Sequence, residues 1–380
     1  MDESRYSGNA VSVCKEIREL AERSGAIDMA SGISDFECPP ELVGLLADSA
    51  TCGHNNFVDP DGLPALREAI SAALLPLTGR TYNPVTEITV TAGTVQAVHT
   101  AISALVGDDD EVIIFEPAAV TLAPSVLRNN GRPVYIQMKP PLFTIDWDEV
   151  RRAINPKTKL IILDSPHNPT GALLTDDDMQ QLQKLTNGAR IQLLSIEADS
   201  ALVYDSLKYQ SVVRFGKLAD RSLTVSSCDR LYNISGLGIA FCAGPAKMMS
   251  DFRYVQEYQL HCANVPAQYA LTQLLRHSYP ADEVVELYMG KRNYFSRLMA
   301  KSPFKLLPVQ GGCFQLLDYS RVSSESDVAF VRRLIAEAGV AMMPVSVFYH
   351  ERTKQKLLRL CFARENSVLE EVAARLSRIA

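Results

Sequence analysis

An alternation of strand and helix signals between residues 87 and 228 constrains this chain more than any other feature. "EITVTAG" (87–93) is a β-rich run that ends in small residues, and "TVQAVHTAISALV" (94–106) follows with helical spacing of its apolar positions. "DEVIIFEP" (110–117) is a second strand, closed by proline, and "TKLIILDSPHNPTG" (158–171) holds a third. "DDDMQQLQKLTN" (176–187) predicts a helix, with acids in the first turn where they complement the helix dipole. Residues 189–199 and 222–228 add two more strands. Apolar strands that alternate with helices predict an α/β chain with a doubly wound, mostly parallel sheet. Ligands in such sheets sit beyond the carboxyl ends of the strands. Stretches 93–95, 117–119, 164–171, 196–199 and 226–230 all fall at strand ends, which groups them into one expected pocket.

After about residue 280 the pattern changes. A long amphipathic helix (281–301), strands at 313–320 and 357–363, and helices near 326–338 and 366–379 read as a smaller α+β domain. The expected division is a large domain at 41–280 and a small domain made of 1–40 plus 281–380, a size that suits two domains sharing an interface. Apolar residues make up 47% and charged residues 22%, a globular balance. No apolar run reaches the roughly 18 residues needed to cross a bilayer. "MDESRYSGNA" has no basic segment followed by an apolar one, so no export signal and a cytoplasmic location are expected. The net charge of −6, without a basic block, argues against nucleic acid as a partner. The eight cysteines form no CxxC pair and no metal-ligand spacing, so free thiols and no metal site are expected.

A set of motifs runs nearly end to end: "GISDFECPPELV" (32–43), "GHNNFVDPDGLPALREAI" (53–70), "TAGT" (91–94), "FEPAA" (115–119), "DSPHNPTGALL" (164–174), "YNISGLGIAF" (232–241), "CANVPAQYAL" (262–271), "GGCFQLLDYS" (311–320) and "LLRLCFA" (357–363). In this order they resemble the fold-type I, class I and II aminotransferases that use pyridoxal 5′-phosphate (PLP), of the methionine/kynurenine type. The resemblance implies a homodimer with its active site at the subunit interface. It implies a lysine that forms a Schiff base with PLP, an aspartate facing the pyridine nitrogen, and a tyrosine and the NPTG asparagine on the ring oxygen. It also implies a stacking aromatic, a phosphate cup of loop amides and hydroxyls, and a late arginine that clamps the substrate carboxylate.

Carried over position by position, the resemblance departs at the cofactor. The lysine position falls on Arg230, and arginine is never a free amine nucleophile. The basic phosphate ligand falls on Gly238, the pyridine aspartate on Ile196, the ring tyrosine on Asp199, the stacking aromatic on Ala119, and the partner subunit's tyrosine on Phe57. A phosphate-cup hydroxyl becomes Val95, while Gly93, Thr94 and Ser227 keep what remains of the cup. Asn168 and Arg359 stand at the family's ring-oxygen and carboxylate positions.

Two meanings of Arg230 and Asp199 stay open: a charged pair that acts on substrate, or a salt bridge that plugs a vacated hole. Asn168 either binds ligand or holds its own turn. Cys228 and Cys313 near the pocket wall read as buried and inert, and His167 as a loop residue. The expectation is an aminotransferase-like protein without a cofactor, repurposed as a PLP-independent enzyme. Its expected catalytic residues are Arg230 and Asp199, acting on a small amino-acid-derived or carboxylate substrate bound by Arg359 and Asn168, in specialised biosynthesis. Two alternatives are a catalytically inactive scaffold or regulatory partner, and an enzyme or transaminase that holds PLP or its amine form, PMP, without a covalent link.

Overall fold

Seven strands make one sheet: Ile88–Thr91 (β1), Glu111–Glu116 (β2), Arg132–Gln137 (β3), Thr158–Asp164 (β4), Gln192–Ile196 (β5), Ser222–Ser227 (β6) and Ala240–Ala243 (β7). Their order across the sheet is β1-β7-β6-β5-β4-β2-β3. The strands β3, β2, β4, β5 and β6 run parallel, and β7 is antiparallel to both of its neighbours. The chain is described by a computed structural model over residues 10–277, 281–351, 353 and 355–379. Residues 1–9, which carry most of the segment read for an export signal, lie outside the described ones.

The apolar strands are buried on both faces because each neighbouring residue enters a different core. Leu160, Ile162, Leu194, Ile196, Leu223 and Val225 pack in one cluster with Ala97, Val98 and Ile102 of α2 (Gly93–Leu105) and Met249 and Phe252 of α5 (Ala246–Gln259). Ile161, Leu163 and Leu193, one residue along, join the larger cluster on the other face. That face is covered by α1 (Pro64–Thr78), α3 (Asp176–Thr186) and α6 (Val265–His277). Burying each such aliphatic side chain contributes about 1.5–3 kcal/mol, which fixes the sheet between its helical layers. The acids at the start of α3 do more than complement the dipole: Thr175 and Asp178 form a reciprocal capping box. Between β6 and β7 lies the short helix α4 (Asp229–Tyr232).

Beyond α7 (Ala281–Met299) a second, antiparallel sheet forms around β8 (Phe314–Asp318) and β9 (Leu357–Cys361), with Lys305–Leu306 and Met343–Pro344 at its edges. Ile27–Asp28 pairs in parallel with Val340–Ala341. Two strands of the seven-stranded sheet escaped the sequence reading. β3 begins "RP" and is an edge strand of mixed exposure, where proline is tolerated and alternation is blurred. β7 is only four residues long, too short for a periodic signal.

The two sheets meet through "GG" at 311–312. Gly311 N and Gly312 N donate to Gly171 O and Leu202 O at 3.0 and 2.9 Å. A Cβ on Gly311 would lie 2.6 Å from Leu202 O and 2.9 Å from the Pro166 ring, so only glycine lets the backbones approach this closely. Gly311→Ala is expected to cost about 1–3 kcal/mol and lower the melting temperature by several degrees. Gly216→Ala, with nothing within 4 Å of the added methyl, serves as the control and is expected to stay near wild type. Thermal unfolding followed by circular dichroism reads both.

Candidate functional site

Arg230 and Asp199 meet because β5 and β6 are neighbours that end side by side, with Ile196 opposite Val225. The turn after β5 carries Asp199 and the first turn of α4 carries Arg230. Arg230 Nε lies 3.3 Å from Asp199 Oδ1, and Nη1 donates to Gly32 O at 2.6 Å. Both side chains are mostly buried. A Cβ on residue 32 would fall 3.2 Å from Arg230 Nη2 and 2.9 Å from Phe314 Cζ, so the N-terminal segment crosses the site through a glycine.

Arg359, in the middle of β9, is 7% exposed. Nη1 donates to Asn168 Oδ1 at 2.9 Å and Nη2 to Ala30 O at 2.8 Å. Its guanidinium lies between the rings of Phe314 and Phe348, 4.0 and 4.9 Å from their centroids, and burial lowers its pKa to about 10. Its Nε is buried without a partner among the described residues. Arg230 and Arg359 are therefore tied to carbonyls two residues apart on one segment, 30–32.

The expected phosphate cup lies at the start of α2. Gly93, with φ +84°, approaches Gly238, whose Cα is 3.8 Å from where a Gly93 Cβ would stand. Thr94 is half-buried, and Val95 is exposed rather than turned inward. Ser227 Oγ accepts from Asp229 N at 3.4 Å. Ile196 sits in the apolar cluster against α2, and Glu197 points to the opposite face of the sheet, as strand alternation requires. Phe57 is 81% exposed, with its ring tilted over His261. Tyr232 is buried within its own chain.

Two groups escaped the sequence reading. Asp164 ends β4, accepts from Asn168 N at 3.3 Å, and is held well above the usual carboxylate range by burial and then by the charge of Asp199. A carboxylate closing a buried apolar strand, inside a stretch already grouped at the pocket, was the available signal. The second group is Cys361. Its hydrogen bond with the Cys313 thiol lowers its pKa against the effect of burial, and the charge of Arg230 lowers it further. Cys228, two residues before Arg230, is pushed up to about 12 by burial. Burial likewise lowers His167 to about 4, and its Nδ1 sits 2.8 Å from Thr170 Oγ1.

These residues fit PLP at one end only. The amides at the start of α2, the close pair Gly93 and Gly238, and the Ser227 hydroxyl suit a phosphate. The other end offers no amine: Arg230 is engaged by Asp199 and Gly32, and Ile196 presents no charge to a ring nitrogen. The arrangement suits a phosphate-bearing group.

Asp229 makes the site sensitive to pH. Burial raises its carboxyl to about 6, with Arg230 opposing and Asp199 reinforcing the shift, and its Oδ1 has no partner among the described residues. Between about pH 4 and pH 6 the folded chain then holds a proton that the unfolded chain releases, so this group costs stability as pH rises through that window. Asp229→Asn is expected to melt higher than wild type at pH 7, with the gap closing toward pH 4, as read by melting temperatures across that range.

Comparison with known proteins places this geometry. The family profile "Aminotransferase class I and II" matches residues 24–376. Methionine aminotransferase of Escherichia coli K12 is 33% identical, with 99% of this chain and 98% of the relative covered. A crystal structure of an E. coli protein assigned a methionine aminotransferase function superposes with a TM-score of 0.94 at 33% identity, covering both chains fully. The structure of N-succinyldiaminopimelate aminotransferase from Mycobacterium tuberculosis gives 0.96 at 28% identity, again over both full chains. This kinship overturns the expectation of a site without a cofactor, because such relatives are PLP-dependent and point to PLP. It also counts against a PLP-independent enzyme, since the relatives are named as aminotransferases. Matched over nearly its whole length, the chain belongs to the class I and II aminotransferase family.

Proposed function

We propose that this chain is an aminotransferase-type enzyme that holds PLP or PMP by non-covalent contacts and acts on a small amino acid through its carboxylate. The observation that carries the reading is the Arg359 site. A buried guanidinium with an unpartnered Nε, aromatic walls on two sides and Asn168 beside it is equipped to take a carboxylate in a two-pronged pair. When bound, the cofactor supplies an electron sink and an amino-group carrier. The chain's residues would do the rest. The start of α2 and Ser227 bind the phosphate. Arg230 provides a fixed positive charge beside Asp199. Asp164, its carboxyl raised by burial and by the charge of Asp199, would be the group placed to exchange a proton there. The segment at 30–32 anchors Arg230 through Gly32 O.

We propose further that the large domain spans 41–280 and the small one 1–40 plus 281–380, and that the working form is a homodimer. Proteins of this family are usually homodimers with small-molecule substrates, and Phe57 stands exposed in the loop that the resemblance assigns to the partner's site. An inactive scaffold is the second reading, favoured by the engaged contacts of Arg230 with Asp199 and Gly32.

Titration with PLP is expected to give a saturable change in the visible spectrum, and borohydride treatment to leave the wild-type mass unchanged. Arg230→Lys is expected to become labelled at position 230 under the same treatment. No spectral change, or a labelled lysine in the wild type, would overturn the non-covalent reading. Arg359→Gln is expected to weaken amino-acid binding about 10–100-fold, equivalent to about 1.4–3 kcal/mol, with little effect on the PLP titration. Isothermal calorimetry on the PLP-loaded chain measures this.

A further inference from the structure

On the face of the sheet opposite α2 and α5 lies a cavity of about 360 Å³. It sits between α1, α6, the start of α7 and the segment that follows β5. Its walls are mainly apolar, with Ile70, Leu74, Val213, Leu231, Phe241 and Val285. Thr224 and Ser226 of β6 reach it because even-numbered residues of that strand face away from α2.

The charges are arranged in one sense. Glu197, the acid of the interior, is already satisfied: Ser195 Oγ and Ser211 Oγ donate to it at 2.8 and 2.9 Å. It offers little to a cationic ligand. At the mouth, Lys208 and Arg214 are exposed, and the side chain of neither has a hydrogen bond or ion pair among the described residues. Asp282 is the single exposed acid at the rim. Inside, Thr224 Oγ1 is buried and without a hydrogen-bond partner among the described residues. The volume falls in the range of about 300–1,000 Å³ typical of small-ligand sites, which pair apolar walls with a few polar groups.

We propose that this cavity is a second ligand site, for a small amphipathic carboxylate whose hydrocarbon or aromatic body enters the apolar interior while its carboxylate meets Lys208 and Arg214. It is distinct from the Arg359 site and goes beyond the proposed transamination. It lies on the other side of β5 and β6 and shares with the phosphate cup only the strand end at Ser227 and Cys228.

Isothermal calorimetry on the full chain tests this with decanoate, 3-phenylpropanoate and decylamine. At least one acid is expected to bind at one site per chain, with decanoate favouring an aliphatic occupant and 3-phenylpropanoate an aromatic one. Ala201→Phe, which fills the cavity, is expected to abolish binding. The exposed pair Lys208→Glu and Arg214→Glu, which leaves the core untouched, is expected to weaken it by about tenfold. Arg359→Gln is expected to leave it unchanged, which separates this site from the carboxylate site. The proposal is overturned if neither acid binds, if decylamine binds as tightly as decanoate, if the charge-reversed pair binds like wild type, or if Arg359→Gln abolishes binding.

Discussion

Two guanidinium groups pressed against one stretch of main chain hold the site together. Arg230 comes from the short helix after β6, and Arg359 from the middle of the second sheet. Each donates to a carbonyl of segment 30–32, and Phe314 packs against both that segment and Arg359. Like charges held out of water repel unless each is compensated. Here the compensation comes from Asp199, Asn168, two carbonyls and two ring faces. That requirement ties three distant parts of the chain to one another. It also accounts for glycine at position 32, where any side chain would collide with Phe314.

The fold was legible because the relevant signals are local. β2, β4, β5 and β6 announce themselves as short apolar runs, and α3 carries its own capping residues. The second sheet was visible as β8 and β9, although its edges were not: Lys305–Leu306 and Met343–Pro344 are pairs too short to have a period. The same reasoning explains β3 and β7. Where burial is partial or the element is brief, tertiary pairing rather than sequence pattern decides the strand.

The site was legible in part. Strand ends located it, and the resemblance located Arg230, Asp199, Asn168 and Arg359, which the structure brings together in contacting pairs. Asp164 and Cys361 were missed because their importance is electrostatic and depends on neighbours remote in sequence. The error about the cofactor has a related cause. Counting lost side-chain contacts residue by residue gives little weight to the main-chain amides of the phosphate end, which do not depend on which side chain stands there. Kinship over the whole length supplied that weight.

The strap at residues 30–32 is a hinge point for charge. Ala30 and Gly32 accept from guanidinium groups that belong to the second sheet and to the helix after β6, so displacing this one segment strips a main-chain acceptor from two buried cations at once. A substitution in the segment therefore acts on both arginines together, although they stand 129 positions apart in the sequence.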